Sequence, residues 1–387
     1  MKQTNRILAA ALFGLCTLVA TRPVAACTAF QLQAKDGSWV YLRSMEFGFP
    51  FHSELLIVPR GTEYTGTASG GAPGLVWKTK YGLVGPNQTV AKTLVADGMN
   101  ERGLVVGMLL FPRYAQYPAA DAAKIERTLG SWEVATYLLS TCATLDDARA
   151  ALTDGSVYVS NAEFTPFGMV LPVHYYIADA SGAVLIAEYV GGKLEFHEDP
   201  FGILTNSPDF VWQQTNLLNF VNLSPVNVPN AEIDGRRIEG FGQGTGAIGL
   251  PGDFTPPSRF VRAALFSHWA TPGATATETV LAGFHVLNTF DIFAGAIRAN
   301  AANLPASGEA FLDSKKPDIV NTDTTEWTLA HDRTNLRTYL RTYESLAIQM
   351  IDLKKIDFSQ PGLRQVELDK QFDPVDLSTT AKPLDSK

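Results

Sequence analysis

Residues 27–47 read CTAFQLQAKDGSWVYLRSMEF, two alternating apolar runs hinged on Asp36-Gly37. Alternation with a period of two turns one face of each run into a core, and Asp-Gly is a strong hairpin signal, so the chain is committed to an antiparallel sheet whose first strand starts at Cys27. Further strands are predicted at 103–111, 173–179 and 183–198, the last carrying its own Gly191-Gly192 turn. A late hairpin is predicted over 326–343, around Asp332-Arg333-Thr334-Asn335. Apolar residues fall instead at helical spacing in 131–152, 258–270 and 277–290. Strands and helices come in blocks and not in a βαβ alternation, which gives an α+β class with helices covering antiparallel sheets.

What precedes Cys27 decides what that residue is. Lys2 and Arg6 are followed by an apolar block from Ile7 to Ala20 and then by TRPVAA, the three regions of a secretory signal. The block is short for a bilayer span, so residues 1–26 are expected to be a leader and the product periplasmic or secreted. Three readings of Cys27 then stand open. A cut after Ala26 makes it residue one, a thiol and an α-amine on one residue, the equipment of an N-terminal nucleophile. VAAC also resembles a lipobox, in which case Cys27 is lipidated and the protein is a periplasmic lipoprotein that binds without catalysis. The third reading is an ordinary structural cysteine, free or paired with Cys142.

Of the 387 residues, 46% are apolar and 18% charged, enough to bury a large core, and no fixed-period repeat or low-complexity linker interrupts residues 27–387. They are expected to form a single domain with a polar tail at about 372–387. Beyond the leader, 28 basic groups face 39 acidic ones, which argues against nucleic acid as a partner. His52, His174, His197, His268, His285 and His331 show no metal-ligand spacing, and there is no phosphate- or dinucleotide-binding glycine motif, so neither metal nor cofactor is expected.

Six blocks, in order, now carry a resemblance: CTAF after the leader, RSMEF (43–47), DGMNERGL (97–104), LTNSPDF (204–210), GLPGDFTPPSRFVRA (249–263) and EWTLAHDRTNLRTYLRTY (326–343). Together they resemble the choloylglycine hydrolase and penicillin V acylase family, in its exported Gram-negative branch. The resemblance implies a four-layer αββα N-terminal-nucleophile hydrolase acting on linear non-peptide amides through a thioester. It implies Cys27 as nucleophile and Arg43 beside it, a placement in which a guanidinium favours the thiolate. Glu46 stands where the family has aspartate, in the role of orienting the cysteine and its amine. Asn206 matches the oxyanion-hole asparagine, the backbone N–H of Leu110 the second donor, and Arg259 the last catalytic arginine. Asp97 and Asn100 read as turn-formers between strands.

The implied substrate is a small-molecule amide with an apolar acyl group, of the penicillin V, N-acyl homoserine lactone or bile-salt type, and the implied assembly a homotetramer. Phe47, Phe49, Phe51, Phe111 and Tyr114 are candidates for an acyl pocket. Aryl- or fatty-acyl amides are favoured over bile salts.

Overall fold

The hairpin that opens the chain organises everything behind it. In the computed structural model, which describes residues 26–48, 50–88, 90–300, 319–380 and 382, strands Cys27–Gln33 and Trp39–Phe47 pair antiparallel with Cys27 opposite Met45 and Ala29 opposite Arg43. The turn closes as its sequence requires. Gly37 sits at φ 87°, where a side chain would be strained, and Asp36 Oδ1 accepts from the Ser38 N–H at 2.9 Å. The leader, with Cys16, and Phe49 lie outside the described residues.

Two antiparallel sheets stack face to face. The first has seven strands among the described residues, with the hairpin at its centre, flanked by Ile203–Leu204 on one side and by Ile319–Asp332, Arg337–Thr342 and Gln349–Asp352 on the other. The second has nine. Its path runs Lys193–Glu198, Val184–Val190, Val173–Ala178, Val105–Leu110, Asp97–Asn100, Leu83–Gln88, Leu55–Val58 and Arg364–Val366. Buried side chains fill the space between them, with Tyr41 of the first sheet against Tyr176 of the second at 4.9 Å between ring centroids.

Helices close the outer faces. α1 (Val134–Thr141) and α2 (Leu145–Thr153) cover the second sheet, where Asn100 Nδ2 donates to the carbonyls of Leu139 and Cys142 at 2.8 and 2.7 Å. After α3 (Phe210–Leu217), α4 (Pro256–Trp269) and α5 (Ala276–Leu287) cover the first sheet. Gly283 permits α5 to approach so closely that an added Cβ would meet Leu42 at 2.2 Å. The result is the αββα sandwich of the predicted α+β class.

The structure differs from the expectation in identifiable places. The single helix over 131–152 is two: the chain extends at Cys142, and Thr144 caps α2 by accepting from Asp147 N at 3.1 Å while Asp147 reaches back, a capping box spelled by Thr-Leu-Asp-Asp. Asp97 and Asn100 belong to a strand, and the turn that follows is at 101–103. Asn100 Oδ1 does bond the N–H groups of Arg102 and Leu104, but Asp97 takes no part in a turn. Cys27 and Cys142 are both free and buried. Residues 372–380 run exposed. Among the described residues no helix is long and apolar enough to cross a membrane.

Candidate active site

Cys27 lies at the end of its strand, between the sheets, and is 1% exposed. Arg43 reaches it from the neighbouring strand. Antiparallel pairing puts Arg43 opposite Ala29, and its Nη2 donates toward the Cys27 sulfur at 3.6 Å. The same Nη2 donates to the Met108 carbonyl at 2.6 Å, while Nη1 donates to the Ala96 carbonyl at 3.1 Å and to Asp97 Oδ2 at 2.9 Å. Asp97 is thus the anchor of Arg43. It also accepts from Tyr41 Oη at 2.7 Å and lies 3.0 Å from His331 Nε2, all four side chains being fully buried. Sequence reasoning missed this hub because Asp-Gly ahead of an asparagine reads as turn chemistry. The only available signal was an acid framed by apolar residues in LVADGM.

The second guanidinium comes from the first turn of α4. Pro256 and Pro257 start that helix and place Arg259 inward, where Nε donates to the Phe254 carbonyl at 2.9 Å and Nη2 to Asn206 Oδ1 at 2.7 Å. Its Nη1 donates to the Thr28 hydroxyl at 2.8 Å and to the Cys27 carbonyl. Asn206 is fixed from both ends. Oδ1 accepts from the Cys27 N–H at 2.8 Å as well as from Arg259, which sets the amide's orientation, and Nδ2 donates one proton to the Leu110 carbonyl at 2.7 Å. The second proton of that NH2 group is left to donate elsewhere. The Leu110 N–H is aimed by the pleat. Phe111 N donates to Pro172 O on one side and Met108 N to Ala96 O on the other, so the alternation turns the Leu110 N–H to the same edge as that of Met108.

Glu46 departs from its expected task. The nitrogen of Cys27, here still in peptide linkage to Ala26, bonds Asn206 and not the Glu46 carboxylate. Glu46 meets that peptide through its main chain, its N–H donating to the Ala26 carbonyl at 2.9 Å, and both carboxylate oxygens are buried without a hydrogen-bond partner. The extra methylene carries the carboxyl past the backbone it was expected to hold. Burial pushes Glu46 up to about 8, against the pull of Arg259. Asp323, missed in the sequence, is likewise pushed by burial up to about 8, again opposed by Arg259.

Burial also raises the Cys27 thiol, and the nearby Arg43 only partly offsets it, so the thiol is not the ready thiolate that proximity to arginine suggests. For Arg43 burial acts downward, but Cys27, Asp97 and Tyr41 outweigh it and hold the guanidinium firmly charged. Arg259 is pulled below its usual range by burial, with Glu46 and Cys27 opposing.

The thiol opens on a small cavity whose remaining walls are apolar, including Met45, Phe47, Phe51, Met108 and Phe167. Phe47 and Phe51 are two of the predicted acyl-pocket residues. Phe111 and Tyr114 are elsewhere: Phe111 stacks on His174 at 4.3 Å and Tyr114 on Phe111 at 5.6 Å. Among the described residues no cluster of three or more His, Cys, Asp or Glu is placed to hold a metal.

Residues 27–306 match the linear amide C–N hydrolases, choloylglycine hydrolase family. The chain belongs to this family. A choloylglycine hydrolase-family member hydrolyses the C–N bond of a linear amide, and its relatives spread over most of the chain. It is 28% identical over 333 residues to the bile salt hydrolase/transferase of Clostridium perfringens, covering 85% of this chain and 93% of that one. It is 27% identical over 333 residues to the penicillin V acylase of Pectobacterium atrosepticum, covering 84% and 80%. In structure it is similar to a mutant conjugated bile acid hydrolase from Clostridium perfringens, with a TM-score of 0.77 and 25% identity over 91% of this chain and 100% of the other. The family's fold is the αββα sandwich described above.

Proposed function

We propose that this family member is an exported cysteine N-terminal-nucleophile amidase, released into the periplasm or beyond when the residues ahead of Cys27 are removed. The observation that carries the reading is the double grip on Cys27: its nitrogen held by Asn206 at 2.8 Å and its sulfur lying 3.6 Å from Arg43, at the wall of an apolar cavity. Once Ala26 is gone, that nitrogen is an α-amine with a pKa near the working pH (roughly 8), and it is the base that a protonated, buried thiol requires.

The α-amine takes the thiol proton as sulfur bonds to the amide carbonyl carbon. The oxygen, now negative, is met by the spare Asn206 Nδ2 proton and by the Leu110 N–H. The C–N bond then breaks, the α-ammonium hands its proton to the leaving nitrogen, and a thioester remains. Water, deprotonated by the same amine, attacks that carbonyl, and the carbon–sulfur bond breaks to release the acid and restore the thiol. The apolar cavity walls favour an aryl or fatty acyl group, because a hydroxylated sterol would leave its hydroxyls without partners there.

Intact mass and N-terminal sequencing of the exported protein are expected to give a free cysteine at residue 27. A diacylglyceryl adduct would establish the lipoprotein reading instead. Cys27→Ala and Cys27→Ser are expected to abolish amide hydrolysis in a folded protein, and one extra residue before Cys27 to silence it. Full activity of the extended form would remove the α-amine from the mechanism.

A further inference from the structure

A second buried cluster lies behind Asn206, and the chemistry above makes no use of it. His174, fully buried in Val173–Ala178, points Nε2 at the Thr205 carbonyl at 2.9 Å and Nδ1 at Glu188 Oε1 at 2.8 Å. A carbonyl can only accept, so Nε2 carries a proton in every state of the pair, and a single further proton lies between Nδ1 and Glu188. Glu188 Oε2 in turn accepts from the Phe210 N–H at 3.2 Å, with His197 Nε2 at 3.6 Å. The pair therefore grips the backbone at Thr205 and at Phe210, the residue before Asn206 and the first residue of α3. The segment between is tied by its own contacts, Ser207 Oγ to the Pro112 carbonyl at 2.6 Å and Gln213 Nε2 to the Asn206 carbonyl at 3.3 Å.

We propose that His174 and Glu188 are positioning residues for amide hydrolysis: they fix the backbone on both sides of Asn206 so that its side-chain amide stands ready for the oxyanion. This rests on Asn206 being the oxyanion donor. An imidazole stacked on Phe111 and bonded to a carbonyl and a carboxylate allows that backbone one orientation, and displacements well under an ångström are enough to weaken a donor aimed at a transition state.

The test measures kcat and KM on the fastest substrate among penicillin V, a decanoyl homoserine lactone and a glycine-conjugated bile salt. His174→Phe keeps volume and stacking but lacks the N–H, and is expected to lower kcat about tenfold or more while KM moves less than about twofold. Glu188→Leu is expected to do the same. Glu188→Gln is expected to rescue, since its NH2 can donate to Nδ1 and its oxygen accept from Phe210 while Nε2–H stays on Thr205. Asn206→Ala is run beside them. If Asn206→Ala costs nothing, the oxyanion reading has failed. If it is severe while folded His174→Phe and Glu188→Leu keep wild-type kcat, the positioning proposal is overturned. Failure of both these variants to fold assigns the pair to stability alone and overturns it equally.

Discussion

The two arginines beside Cys27 sit in opposite electrostatic settings. Arg43 is paired: Asp97 faces it at 2.9 Å, and Tyr41 and His331 complete a buried network in which each charge has a partner. Arg259 is not. Its donors go to the carbonyls of Phe254 and Cys27, the Thr28 hydroxyl and the Asn206 oxygen, while the nearest acids, Glu46 and Asp323, are pushed by burial to about 8 and keep oxygens without hydrogen bonds. The Arg43 wall is a closed scaffold whose protonation is settled. On the Arg259 wall, charge can change near the nitrogen of Cys27, and there the reaction has room to move protons.

If that division is right, breaking the Arg43 wall costs fold before it costs chemistry. Asp97→Ala leaves a buried guanidinium without its counter-charge, a change worth about 3–5 kcal/mol. Denaturant unfolding is expected to show that loss, and a loss below about 1 kcal/mol would mean that the network is not a scaffold. Asn206→Ala reverses the emphasis, with kcat lowered about 10²–10³-fold. Its unfolding midpoint is expected to shift less than that of Asp97→Ala, and the opposite ranking would erase the distinction between the walls. Arg259→Lys is milder. A single ammonium cannot serve the Cys27 carbonyl, Thr28 and Asn206 together as a planar fork does, so kcat/KM is expected to fall about tenfold while the charge is retained. Unchanged steady-state kinetics would show that only the charge of Arg259 matters.

The sequence made one wall more legible than the other. Cys27, Arg43, Asn206 and Arg259 each fall in a short block with its own turn or helix signal, and the Asp36-Gly37 hairpin alone brings Arg43 to Cys27. Asp97, Asp323, His174 and Glu188 sit inside strands. There a polar residue on the inward face differs from one on the outward face only by the parity of its position, and its partner lies far off in sequence: 234 residues separate His331 from Asp97. Glu46 was visible as an exception to a pattern, but where its longer side chain would end depended on packing. The break between α1 and α2 was readable in Thr144 and Asp147, though the apolar spacing on either side masked it.

The smallest expected effect is also the one that tests the Arg259 wall most directly. A carboxyl whose pKa is raised in the folded state binds its proton more tightly there than in the unfolded chain. Its contribution to stability is therefore complete below its ordinary range near 4 and is lost as pH climbs to the folded value. For Glu46 and Asp323 both folded values are about 8, so stability is expected to fall between about pH 4.5 and 8 and to level off above that. Glu46→Gln keeps the shape and removes one titration, and is expected to flatten the slope without abolishing it, since Asp323 still titrates. Glu46→Gln combined with Asp323→Asn is expected to flatten it further. The Asp97→Asn variant, whose wall has no such carboxyl, is expected to keep the wild-type slope at lower stability. Thermal unfolding across that pH range separates these cases: an unchanged slope in the double variant would place the titrating groups elsewhere and leave the Arg259 wall as fixed as its counterpart.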